Sequence, residues 1–226
     1  MTWIKICGMT NLEDALLAVD AGADALGFVF YEKSPRNVTV EAAREIVKKL
    51  PMSVEKVGVF VSEPDSQVAR IADRVGLSAA QVYPLNGDHD ALPADFALTG
   101  FLGRLFVAIP SGRITSGDRF AVTFPRELLS RASAVLIDSG SSRRPGGTGR
   151  AFDWSNAADN VKVISEIVPI MIAGGLTAEN VGEAIGTLRP WGVDVVSGVE
   201  ARPGKKDPEK VRAFVKAVRA ADRKVS

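Results

Sequence analysis

The chain has 226 residues, with 28 Lys+Arg against 27 Asp+Glu for a net charge of +1, and 46% hydrophobic residues. So even a balance supplies no overall field to gather nucleic acid or an anionic membrane surface, and the composition is that of a globular chain able to bury one large core. One cysteine excludes an intramolecular disulfide framework, no window approaches roughly 18 uninterrupted apolar residues, and no signal-peptide pattern opens the chain, so a soluble cytoplasmic protein is expected.

The first apolar run, Trp3 to Cys7, reads as a buried strand, and alternation along it sends Lys5 and Cys7 to one side. A free cysteine is most often a small buried hydrophobe, whereas a thiol sharing a face with a cation, just before Gly8, also suits chemistry. This segment alone leaves both readings open. Asn11 to Ala21 has helical spacing, with Thr10-Asn11 as its start and Gly22 after its end. A strand at Ala25 to Phe30 leads into Ser34-Pro35-Arg36-Asn37, where Arg36 offers a planar fork for a carboxylate or is a plain surface arginine.

Thr39 then precedes a helix over Val40 to Leu50, a strand spans Lys56 to Val61, and a helix over Asp65 to Val75 is followed by Gly76. After a strand at Ala79 to Tyr83 the pattern blurs from Pro84 to Gly103, so the fourth helix is expected to be short or irregular. Strands follow at Leu105 to Ile109, Ala134 to Asp138, Ile170 to Ala173 and Asp194 to Ser197, with helices at Ala178 to Leu188, after Thr177, and at Pro208 to Ala221. Eight strand and helix units fit a single-domain (β/α)8 barrel over the whole chain better than an open doubly wound sheet, which would leave edge strands. A loose recurrence of Asn11, Asp14-Ala15, Gly22, Asp24 as Asn180, Glu183-Ala184, Gly192, Asp194 adds little.

Reactive groups in such a barrel stand where strands end. Cys7 ends the first and Asp138 the sixth; Gly174-Gly175 follow the seventh, and Ser197-Gly198 end the eighth. Two glycines ahead of a helix start let backbone N–H groups close on an anion, and the Ser197-Gly198 pair lies beside them, so a phosphorylated small-molecule substrate is expected. The alternative is that the glycines only permit a tight turn. Asp138 ends the apolar run Ala134-Val135-Leu136-Ile137, where poor solvation would raise its pKa toward that of a general acid; a bracing aspartate is the plainer reading. The glycine-rich stretch Ser139 to Arg150 has the length of a lid or of a disordered loop and is expected to be mobile without ligand, with Arg143 and Arg144 contacting a phosphate or only solvating the loop.

Together these residues resemble the phosphoribosylanthranilate isomerase family of (β/α)8 barrels. The likeness rests on Lys5-Ile6-Cys7-Gly8-Met9-Thr10, Ala21 through Phe28, Ser34-Pro35-Arg36, Val57-Gly58-Val59-Phe60, Gly146-Gly147-Thr148-Gly149 with Phe152-Asp153-Trp154, Ala173-Gly174-Gly175-Leu176, and Ser197-Gly198-Val199-Glu200. It implies an Amadori rearrangement of N-(5-phosphoribosyl)anthranilate to 1-(2-carboxyphenylamino)-1-deoxyribulose 5-phosphate in tryptophan biosynthesis, with no metal or organic cofactor. By matching motif, Cys7 is the expected general base and Asp138 the general acid, Arg36 meets the anthranilate carboxylate, and Gly174, Gly175, Ser197 and Gly198 line the phosphate site. Lys5 is expected to favour the Cys7 thiolate electrostatically.

One departure stands out. The family usually ends its fourth strand in Val-Gln-Leu-His-Gly, whereas Gln81-Val82-Tyr83-Pro84-Leu85-Asn86-Gly87-Asp88 has extra residues and no histidine there; His89, the only histidine, follows. No role falls to His89. Competing readings are a histidine-pathway aminoaldose isomerase, which resembles an aspartate pair rather than Cys7 with Asp138, a phosphometabolite-binding barrel without turnover, and one half of a bifunctional enzyme. The sequence leaves the oligomeric state unknown.

Overall fold

The computed structural model describes residues 1–61, 63–83, 101–115, 131–139 and 151–225. Eight parallel strands close in sequence order: β1 (Trp3–Cys7), β2 (Ala25–Val29), β3 (Glu55–Val61), β4 (Ala79–Tyr83), β5 (Arg104–Pro110), β6 (Ala134–Asp138), β7 (Ile170–Ile172) and β8 (Gly192–Val195), the last pairing back onto β1. The described helices are α1 (Leu12–Ala21), α2 (Val40–Val47), α3 (Asp65–Val75), α4 (Gly112–Thr115), α5 (Trp154–Ser165), α6 (Val181–Leu188) and α7 (Pro208–Val225). The expected (β/α)8 barrel is the fold.

Local chemistry sets most helix ends. Asn11 Oδ1 accepts from the Asp14 N–H at 2.9 Å and Thr39 Oγ1 from the Ala42 N–H at 3.2 Å, each satisfying a first-turn donor that the helix itself cannot. Asp153 does the same for α5, accepting from Asn156 N–H at 3.0 Å. The sequence reading has no helix at α5, although Trp154, Ala157, Val161 and Ile164, all buried, recur at helical intervals there. Thr177 does not start a helix directly: residues 178–180 form a turn, α6 begins at Val181, and Asn180 ties the turn by accepting from Thr177 N–H at 2.8 Å and donating to Gly175 O at 2.9 Å.

The eighth strand also lies two residues earlier than expected. Val196, at φ −124° and ψ −84°, breaks the extended run, so Ser197 and Gly198 belong to a 3-10 turn (Ser197–Val199) rather than to β8. A hairpin of β9 (Glu200–Arg202) and β10 (Lys205–Lys206) follows before α7. The fourth helix expected between Pro84 and Gly103 falls almost wholly outside the described residues.

Alternation divides each strand between two cores. Ile4, Ile6, Leu26, Phe28, Val135, Ile137, Val193 and Val195 face outward into the layer shared with the helices. Inside, Ala25, Val57, Phe106, Leu136 and Met171 fill the barrel, closed at its N-terminal end by Trp3 stacked on Trp191 at 4.8 Å, with the Arg104 guanidinium 5.0 Å from the Trp191 ring centre. Each fully buried aliphatic side chain contributes about 1.5–3 kcal/mol. Toward the opposite mouth the inward positions turn polar, with Lys5, Gln81, Asp138 and Asp194 all buried.

Candidate active site

Inward positions near the strand ends carry Lys5 and Cys7 from β1, Gln81 and Tyr83 from β4, Asp138 from β6 and Asp194 from β8. Lys5, fully buried, donates to Asp194 Oδ1 at 2.9 Å. Burial would deprotonate an isolated lysine, but Asp194 and then Cys7 hold the Lys5 pKa above its ordinary value. The expected thiolate-stabilising role is therefore only part of the balance. Burial is the largest influence on Cys7 and raises its pKa; Lys5 and Lys206 pull it down, Asp194 pushes it up, and the net result lies above the ordinary thiol value. Lys5→Met is expected to move the Cys7 titration to still higher pH, measured by the pH dependence of thiol alkylation, and to cost about 3–5 kcal/mol of stability by leaving Asp194 buried without its cation. An unmoved titration removes Lys5 from any part in thiol ionisation.

Room for the sulfur comes from β2. Gly27 is the register partner of Cys7, and a Cβ there would stand 2.5 Å from Sγ and 3.0 Å from the Cys7 Cα. Gly27→Ala is expected to push the thiol out of place, cutting kcat by on the order of tenfold or more while costing about 1–3 kcal/mol. Turnover and the thermal midpoint, measured together, check this: full activity means that the thiol position is unimportant.

Across the mouth, Asp138 accepts from the Tyr83 hydroxyl at 3.0 Å through Oδ2, while its backbone oxygen accepts from Ser111 N–H at 2.7 Å. Cys7, Asp138, Tyr83, Gln81 and Asp194 line one cavity of about 520 Å³, together with Arg36, Gly174, Gly175 and Ser197. Both glycines have positive φ, 84° and 65°, and a Cβ on Gly174 would meet the Ser139 backbone nitrogen at 2.5 Å, so side chains are excluded where β6 and β7 end side by side. Gly198 stands apart from this group. It lines an adjoining cavity of about 420 Å³ that shares Gly175, Leu176 and Ser197 with the first and reaches Thr177 and Lys210. A Cβ on Gly198 would overlap the Leu176 carbonyl, so the 3-10 turn lies directly against the Gly174-Gly175 loop.

Arg36 is held rather than loose. Its Nε donates to Glu200 Oε1 at 3.0 Å and its Nη2 to Glu200 Oε2 at 2.8 Å, an arrangement that raises the arginine pKa and, with Lys206, keeps the Glu200 carboxyl below its ordinary value despite burial. Lys206 in turn donates to Cys7 O at 2.6 Å, to Val196 O at 3.3 Å and to Glu200 Oε1 at 3.2 Å. One buried ammonium thus ties the end of β1 to the segment after β8 and to the partner of Arg36. Burial lowers the Lys206 pKa, against which Glu200 and Cys7 act.

Sequence reasoning gave no role to Lys206, Tyr83 or Asp194. Each joins elements more than 50 residues apart, and no local spacing marks such a meeting. His89, Arg143, Arg144 and nearly all of the expected mobile loop, residues 140–150, lie outside the described residues. Among the described residues no cluster of three or more His, Cys, Asp or Glu stands placed to hold a metal ion, and no helix is long and apolar enough to cross a membrane.

Residues 4–217 match the family described as N-(5'-phosphoribosyl)anthranilate (PRA) isomerase. The chain is 45% identical over 215 residues to N-(5'-phosphoribosyl)anthranilate isomerase of Pseudomonas fluorescens, covering 95% of this chain and 97% of the relative. It superposes on the crystal structure of phosphoribosyl anthranilate isomerase from Thermotoga maritima with a TM-score of 0.79 at 36% identity, over 97% of this chain and 100% of that one. A crystal structure of phosphoribosyl anthranilate isomerase in complex with reduced 1-(o-carboxyphenylamino)-1-deoxyribulose 5-phosphate matches with a TM-score of 0.76, again at 36% identity and over 97% and 100% of the two chains.

Proposed function

This chain belongs to the N-(5'-phosphoribosyl)anthranilate isomerase family, an isomerase of tryptophan biosynthesis, and on that premise we propose that Cys7 and Asp138 carry out the Amadori rearrangement as general base and general acid. The observation that carries this is their place on one cavity of about 520 Å³, with Arg36, Gly174, Gly175 and Ser197 lining the same space.

The chemistry follows from that arrangement. Asp138 gives its proton to the ribose ring oxygen as the C1–O bond breaks, and the anilino nitrogen lone pair forms the C1 iminium. That cation acidifies the C2 hydrogen, which the Cys7 thiolate removes; the resulting enolaminol becomes the aminoketose when C1 takes up a proton from the Cys7 thiol and the C2 hydroxyl gives its proton back to the Asp138 carboxylate, which restores both groups. No atom enters or leaves. A thiol with a raised pKa is protonated in the empty site, and the iminium formed beside it supplies the positive charge that draws out the thiolate at the step that needs it. The base is thus strong when used and largely masked otherwise.

The substrate's other charges have places to go. Glu200 occupies the Nε and Nη2 edge of Arg36, which turns the Nη1 and Nη2 end toward a substrate carboxylate for a second two-point contact. Gly174, Gly175 and Ser197 present backbone N–H groups to the phosphate, with Gly198 bracing the turn from its far side. The test is the loss of phosphoribosylanthranilate fluorescence with purified protein, run beside the histidine-pathway aminoaldose. Isomerisation of the anthranilate compound far above its uncatalysed rate is expected; a rate at the uncatalysed level leaves only a binding protein.

A further inference from the structure

We propose that Tyr83 is a positioning residue of the acid step, steadying the charge that grows on Asp138 as its proton leaves and fixing which carboxyl oxygen carries that proton; this rests on the reading of Asp138 as the general acid. The geometry is a directed chain. Gln81 Nε2 donates to the Tyr83 hydroxyl oxygen at 3.3 Å, and that hydroxyl donates to Asp138 Oδ2 at 3.0 Å. A phenol has one proton to give. With its oxygen already accepting from Gln81, Tyr83 faces Asp138 as a donor, and the acid proton is kept on Oδ1.

The amide points the same way. Gln81 is buried, its Oε1 has no hydrogen-bond partner among the described residues, and its Nε2 is the atom spent on Tyr83. Turning the amide over would set two acceptors against the one phenolic proton and take it from Asp138. Burial first, and the Asp138 charge next, hold the Tyr83 pKa well above the ordinary phenol value, so the phenol keeps its proton at neutral pH.

Why this speeds the reaction is a matter of differential binding. A hydrogen bond to a neutral carboxyl group is modest and one to a carboxylate is about twice as strong, so the Tyr83 contact tightens as proton transfer proceeds and lowers the barrier rather than the ground state. Gln81 polarises the phenol in the same sense. Both residues sit inside the rigid strand β4, at alternate positions that share the barrel face, so the line is set before substrate arrives.

The experiment compares single-turnover rates and KM for the purified full chain and for Tyr83→Phe, Gln81→Leu, the Tyr83→Phe/Gln81→Leu double variant and Asp138→Asn. Tyr83→Phe keeps the ring and loses only the hydroxyl. We expect its rate to fall on the order of 10- to 100-fold, as for the loss of one hydrogen bond to a charged group, with KM within about twofold. Gln81→Leu should slow the reaction severalfold alone and less than about twofold in the Tyr83→Phe background, because it acts through that hydroxyl. An unchanged rate in Tyr83→Phe, a change confined to KM, or additive losses in the double variant overturns the inference while an inactive Asp138→Asn leaves the acid assignment standing. Full activity in Asp138→Asn overturns both.

Discussion

Cys7→Ala is expected to lower kcat by about 10²- to 10⁴-fold, the range by which a positioned general base accelerates proton transfer, while binding of a reduced product analogue survives. The other described groups on that side of the cavity are already engaged, the Asp194 carboxylate by the Lys5 ammonium at 2.9 Å. Lys5 is committed to Asp194, Lys206 to the Cys7 and Val196 carbonyls and Glu200, and Gly27 offers no side chain. Removing one buried sulfur from a site only 4% exposed leaves a small void and little strain, so folding should be nearly unaffected. The remaining wild-type feature to check is pH. Because burial holds the Cys7 thiol above its ordinary pKa, the thiolate population, and with it activity in the wild type, should rise through neutrality toward alkaline pH; the residual rate of Cys7→Ala should lack that rise. Turnover above a tenth of wild type in Cys7→Ala removes the thiol from the role of base.

The barrel was legible because its signals are local and repeated. β1, β4 and β6 fall where apolar runs place them, and Asn11 and Thr39 cap the helices they precede, since a capping hydroxyl or amide needs only a neighbour three residues on. The discrepancies arise where tertiary contact sets the backbone. Val196 breaks β8 two residues before the expected end because the 3-10 turn must seat Gly198 against the Leu176 carbonyl, a contact that no run of β-branched residues announces. Residues 178–180 form a turn instead of helix because Asn180 spends its amide on the glycine loop.

The site divides along the same line. Cys7, Asp138, Gly174 and Gly175 could be read from their places at strand ends. The parts that adjust them could not: Asp194 is 189 residues from the lysine it holds, and Lys206 is 199 residues from the Cys7 carbonyl. Arg36 shows the intermediate case. Sequence left it between a carboxylate fork and a surface side chain, and the deciding fact is Glu200, 164 residues away, which pins the guanidinium over the mouth.

Asp138→Asn is expected to cost about 10²- to 10⁴-fold in kcat with KM changed little, for a reason that separates it from the loss of Cys7. Asparagine keeps the shape: its Oδ1 can still accept from the Tyr83 hydroxyl, and the backbone bond from Ser111 N–H is untouched. What it lacks is a proton acidic enough to give to a departing ring oxygen, so the sugar stays closed and no iminium forms. Cys7→Ala halts one step later, with ring opening intact and the C2 proton in place. Borohydride added during turnover should therefore trap reduced open-chain amine rapidly with Cys7→Ala and only at the uncatalysed rate with Asp138→Asn. Equal trapping in the two variants means that both groups serve one step, and the division of labour between the two sides of the barrel mouth is wrong. Trapping by Asp138→Asn alone means that the acid and base assignments are reversed.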